Sequence, residues 1–207
     1  MEMFKVSEAV TQLTPRVFSS NSYVLAGKEP AVIDPGCGDP AGLTSALKAL
    51  GVETKGVKRV FYTHMHYDHW GHWDLFHGAE HLMHEADAAF LEAKSEEHAA
   101  LEFFNPESFE FPRITTKLKG GEEFDVNGLR LIAIHAPGHT PGSTCFFMEK
   151  EKILFSGDVI FQHGGIGRYD LPGGDYETQM GTVEKMRALP WETLCAGHMA
   201  IEKRKTQ

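Results

Sequence analysis

The stretch Thr63-His64-Met65-His66-Tyr67-Asp68-His69-Trp70-Gly71-His72 constrains this chain more than any other, because it gathers metal-binding side chains where a strand ends. Residues 57–62 before it, Val-Lys-Arg-Val-Phe-Tyr, have the β-branched and aromatic composition of a buried strand. Strand ends are where α/β folds assemble their sites. His64, His66, Asp68 and His69 fall within six residues. In extended backbone, residues two apart share a face, so His64 and His66 address one centre. A turn after His66 swings Asp68 and His69 towards a second centre nearby. Imidazole nitrogen and carboxylate oxygen suit zinc, iron or manganese without a thiolate.

One loop cannot complete two coordination shells, so further ligands are expected at other strand ends. His135-Ala136-Pro137-Gly138-His139-Thr140-Pro141-Gly142-Ser143 follows the apolar strand expected over 129–134. Phe155-Ser156-Gly157-Asp158 closes a strand over 152–155, and Ala196-Gly197-His198 closes one over 192–195. Each block sets a ligand candidate beside a glycine, where backbone turns tightly or approaches an ion.

These four blocks together resemble the metallo-β-lactamase superfamily. Gly167-Arg168-Tyr169-Asp170-Leu171-Pro172-Gly173-Gly174-Asp175 is similar to its glyoxalase II-like (hydroxyacylglutathione hydrolase-like) members. The resemblance runs from Asn21 to His198. It implies an α/β fold, a four-layer αββα sandwich with two central sheets. It also implies two divalent metal ions per chain, zinc first, with iron or manganese suiting the same donors. One ion would take His64, His66 and His139, the other Asp68, His69 and His198, and Asp158 would bridge them. Asp34, in a block resembling the superfamily's first motif, would support this set from behind without ligating.

Two ions of this kind hold hydroxide near neutral pH and polarise a carbonyl, so hydrolysis of an acyl bond is expected, with Asp68 and Asp158 catalytic. The chain carries no Gly-x-Ser-x-Gly elbow and no Cys/His constellation to compete. The glyoxalase-like segment implies an acyl-thioester substrate, S-lactoylglutathione or a relative, and a thiolate leaves without a strong general acid. Arg168, Tyr169 and His163 are the candidate substrate contacts, with a brace for the Asp170 loop as the preferred reading of Arg168. The alternatives are a lactonase, another binuclear metallo-hydrolase, or a persulfide dioxygenase with one Fe(II) on His64, His139 and Asp158.

At 207 residues the chain is expected to be one domain spanning 1–207. Nine residues follow His198, so the C-terminal helical glutathione-binding domain of longer glyoxalase II enzymes is not expected. A net charge of −9 argues against nucleic acid, and Lys203-Arg204-Lys205 reads as a solvated end. Cys37, Cys145 and Cys195 form no C-x-x-C pair, and no export signal opens the chain, which points to a cytoplasmic setting. No apolar run reaches the ~18 residues of a membrane span. A small-molecule substrate and a monomer or homodimer complete the expectation.

Elsewhere the pattern predicts a hairpin over 22–26 and 31–34 and a helix over 40–50, capped by Asp39 and stopped by Gly51. It predicts a sheet-covering helix over 84–104, whose end at Asn105-Pro106-Glu107 is left open as a cleft wall. Asn127-Gly128 reads as a two-residue hairpin turn. A last helix over 176–189 is capped by Asp175, with Met180, Val183, Met186 and Leu189 as its apolar face. Of the remaining histidines, His72 and His135 read as loop residues beside the ligands, and His77, His81, His84 and His98 as packing or solvent.

Overall fold

The computed structural model describes residues 1–204; Lys205, the last of the basic run, lies outside them. Two sheets face each other. The first has seven strands adjacent in chain order: β1 (Glu2–Lys5), β2 (Val10–Thr14), β3 (Ser22–Leu25), β4 (Ala31–Ile33), β5 (Arg59–Phe61), β6 (Glu80–His84) and β7 (Thr116–Leu118). The second has six: β8 (Glu123–Val126), β9 (Leu129–His135), β10 (Thr144–Met148), β11 (Ile153–Gly157), β12 (Thr193–Ala196) and β13 (Glu202–Lys203). The first sheet is antiparallel up to β4 and parallel from β4 to β7. In the second only the β11–β12 pair is parallel.

Where a sheet is covered on both faces, strands such as β3 and β10 are buried at every position, whereas the edge strand β1 is exposed throughout. Alternation then sorts their side chains between layers. Tyr23, Leu25, Ile33, Phe61 and Leu82 meet Phe146, Phe155 and Leu131 between the sheets. Phe61 touches Phe124 and Phe146 edge-on, with centroids 5.2 and 5.3 Å apart. Val24, Val32 and Val60 face outwards beneath α1 (Pro40–Ala49), and Met83 beneath α3 (Glu85–Glu92). Cys145, Phe147 and Leu154 face α4 (Tyr176–Ala188). A short α2 (Tyr67–Trp70) lies in the ligand loop itself. The four-layer αββα arrangement is the one the resemblance implies.

Both predicted caps are present: Asp39 accepts from Gly42 N and Asp175 from Thr178 N. Asn127 and Gly128 take positive φ between β8 and β9, as a tight hairpin requires.

Three expectations need correcting. The helix over 84–104 ends at Glu92, because Lys94 turns left-handed (φ 56°) and Ser95 N closes onto Phe90 O. Ala100 is left-handed too, and Leu101–Phe103 is a separate single turn. That reversal brings Leu101 and Phe104 back to the core. On α4, Met180 is exposed and Gln179 and Thr182 are buried instead, each bonded to a backbone carbonyl. Arg204 is not a solvated end: its guanidinium lies 3.3 Å over Trp191 and donates to the carbonyls of Leu189 and Arg187. No helix among the described residues is long and apolar enough to cross a membrane.

Candidate metal centre

The ligand loops leave neighbouring strand ends. Residues 63–66 follow β5 in one sheet; the 136–143 loop follows β9, Asp158 follows β11 and His198 follows β12 in the other. All seven sequence candidates converge. His64, His66 and His139 form one group of donors, Asp68, His69 and His198 a second, and Asp158 joins His64 and His69 in a third. Within each group the donor atoms lie within 4.8 Å of one another.

The hydrogen-bond network fixes which ring nitrogens face inwards. His139 Nδ1 lies 2.6 Å from the carbonyl of Arg168, so it carries the proton and Nε2 is bare. Thr63 Oγ1 donates to Asp34 Oδ2 at 2.7 Å, so it accepts from His64 Nδ1 at 3.0 Å, and His64 Nε2 is bare as well. Yet His64 Nε2 sits 3.2 Å from His139 Nε2 and 3.1 Å from His66 Nδ1. Two lone pairs aimed at each other at that distance repel unless a cation lies between them. Tetrahedral zinc with Zn–N of about 2.0–2.1 Å would set its nitrogens about 3.3–3.4 Å apart. His69 Nδ1 donates to Asp34 Oδ2 at 2.8 Å, which turns Nε2 inwards, buried and without a hydrogen-bond partner. Asp158 Oδ1 is orphaned in the same way. Buried atoms of this kind are normally satisfied, so the residues fit a bound metal.

The charges agree. Burial, reinforced by the neighbouring imidazoles, holds His64 and His66 well below the usual histidine range, as neutral bases. Burial also lowers His139 against the pull of Asp158. Burial alone would raise Asp158, but His198, His69 and His139 outweigh it and keep the carboxyl ionised far below its ordinary range. Burial would likewise lower His198, yet the carboxylates of Asp158 and Asp68 push it up to about 11. His198 Nε2 lies 3.1 Å from Asp68 Oδ2 and 3.4 Å from Asp158 Oδ2. A cation held among these groups would compete with a proton for His198 Nε2.

Asp34 accepts hydrogen bonds from Thr63 N, Thr63 Oγ1 and His69 Nδ1 and is itself in none of the three donor groups. Arg168 pairs with Asp170 through two bonds of 2.8 and 2.9 Å, and its guanidinium lies over Phe103. Tyr169 packs edge-on against Tyr176. His163 is exposed, and its backbone N–H donates to Glu202. The exposed ring of Phe18 stacks on Phe104 and, at 6.5 Å, on His198, so an aromatic rim stands beside the cluster. His72 Nδ1 faces the carbonyl of Pro35, while His135 faces that of Pro141 and stacks on His84; neither joins the cluster.

Sequence reasoning missed Thr63, which passes the influence of Asp34 to His64, and the tight approach of two glycines. A Cβ on Gly167 would collide with the Asp158 carbonyl, and one on Gly197 with Asp158 Oδ1. Glycines beside ligand blocks were the available signal.

The model of the metallo-beta-lactamase superfamily matches residues 15–198 of the chain. Hydroxyacylglutathione hydrolase GloC of Haemophilus influenzae is 34% identical over 180 residues, covering 83% of this chain and 80% of that protein. Among solved structures, the BLEG-1 B3 metallo-beta-lactamase is 29% identical with a TM-score of 0.81, over 94% of this chain and 93% of that one. TTHA1623 in a di-iron-bound form is 26% identical with a TM-score of 0.76, over 93% of each chain.

Proposed function

The chain belongs to the metallo-β-lactamase superfamily, and on that premise we propose a two-metal hydrolase that cleaves the acyl–sulfur bond of a thioester, S-lactoylglutathione or a close relative. One observation carries the reading: two three-residue donor groups stand side by side, with Asp158 within reach of His69, His198 and His139. His64, His66 and His139 would hold one ion and Asp68, His69 and His198 the other. Zinc is our first assignment, and the di-iron form of a similar chain supports iron as the alternative. Bound there, such ions would lower the pKa of water towards neutrality and polarise the acyl carbonyl.

The protein's own groups do the rest. Asp34 and the Arg168 carbonyl fix the tautomers of His69 and His139, leaving Nε2 of each as a ready lone pair. Asp68 and Asp158 hold negative charge at the cluster, both within 3.4 Å of His198 Nε2. Phe18, stacked on Phe104, offers an aromatic surface beside His198 against which a substrate could pack. The Arg168–Asp170 pair braces the loop behind His139, so we assign Arg168 that role ahead of anion capture. The GloC similarity supports the thioester over a lactone or β-lactam.

Zinc-loaded protein is expected to release thiol from S-lactoylglutathione, read with a thiol-reactive chromophore, and to leave a β-lactam intact. Iron-loaded protein that releases no thiol but consumes oxygen with a glutathione persulfide would replace this reading with a dioxygenase.

A further inference from the structure

Asp87 occupies the first turn of α3 and is fully buried. Its carboxylate accepts three hydrogen bonds: from Met65 N at 2.9 Å, Thr140 Oγ1 at 2.7 Å and Gly142 N at 2.6 Å. No cation among the described residues compensates it, and burial pushes the carboxyl up to about 6 in spite of these donors. A carboxylate placed in the interior at such a cost needs a reason.

Its partners supply one. Met65 lies between His64 and His66, on the loop that leaves β5 of the first sheet. Thr140 follows His139, and Gly142 closes the same loop, which leaves β9 of the second sheet. A single carboxylate therefore ties together the two halves of the three-histidine group across the gap between the sheets. The approach is tight enough to demand glycine, since a Cβ on Gly142 would lie 2.6 Å from Asp87 N. An amide could not substitute: it offers one acceptor oxygen, and its NH₂ would confront a donor. The second group hangs from other contacts, Asp34 on His69 and the bond from Gly197 N to Gly157 O.

We propose that Asp87 is a positioning residue whose carboxylate sets the spacing of His64, His66 and His139, and so controls metal affinity at that position and not at its neighbour. This inference rests on the two-metal reading above. The test is zinc binding by metal-free protein in competition with a chromophoric chelator, wild type against Asp87→Asn. His66→Ala identifies which binding step belongs to the three-histidine position. The expected result is an affinity 10–100-fold weaker at that step, the range for losing a group that supports metal ligands, with the other step unchanged. A merely structural Asp87 would lower the thermal midpoint while weakening both steps together or neither, and either pattern overturns the proposal. Should Asp87→Asn fail to fold, Thr140→Val removes one of the three bonds, and a smaller loss confined to the same step is expected. If wild-type protein binds no zinc at either step, the two-metal reading itself fails and takes this inference with it.

Discussion

Asp158→Asn is expected to cut thiol release about a thousandfold while leaving the fold intact. Asp158 lies between the two donor groups: Oδ1 is 3.5 Å from His69 Nε2, and Oδ2 is 3.4 Å from His198 Nε2 and 3.9 Å from His139 Nε2. Asparagine keeps the shape but removes the charge and one donor oxygen. A bound ion contributes several kcal/mol of transition-state stabilisation, and each 1.36 kcal/mol is tenfold in rate, so losing or displacing one ion costs on the order of a thousandfold. The inter-sheet core does not include Asp158, so circular dichroism should match wild type. Metal content and kcat measured together check the effect: both should fall. Undiminished turnover at full metal content would remove Asp158 from the centre.

Gly197→Ala should lower activity about a hundredfold without replacing any of the seven candidate ligands. The added methyl would overlap Asp158 Oδ1 and sit 2.7 Å from His69 Cε1, where carbon contacts settle at about 3.5–4.0 Å. Both ligands must yield by about 1 Å, and displacements of that size at reacting groups cost about 10² in rate. The backbone here is pinned, with Gly197 N bonded to Gly157 O and Asn21 N to Gly197 O, so the strain falls on the side chains. Steady-state kinetics on zinc-loaded protein reads the loss. An unchanged rate would mean that the cluster tolerates more slack than its close packing implies.

The candidate donor cluster was legible in the sequence because its pattern is local. His64, His66, Asp68 and His69 share one loop, and each remaining candidate lies next to a glycine at a strand end. Caps and turns were legible for the same reason: Asp39, Asp175 and Asn127-Gly128 act on residues within one turn. What escaped depends on distant partners. Asp87 sits in an Ala- and Glu-rich stretch where an acid reads as solvent-facing, and its donors lie 22 to 55 residues away. The early end of α3 turns on Lys94 adopting left-handed backbone, a choice made by the packing of Leu101 and Phe104 rather than by local propensity. Arg204 looked like a free basic end because Trp191, the ring it covers, is joined to it only through the fold. On α4, Met180 matched the helical period but α4 turns Gln179 and Thr182 inwards to serve the carbonyls of Val159 and Pro137.

The most direct test of the account is the number of ions bound per chain, measured by zinc titration of metal-free wild-type protein with His66→Ala alongside. About two ions are expected for wild type and about one for His66→Ala, with thiol release appearing only as the second site fills. A single ion on wild type, unaffected by His66→Ala, would contradict the two-metal centre.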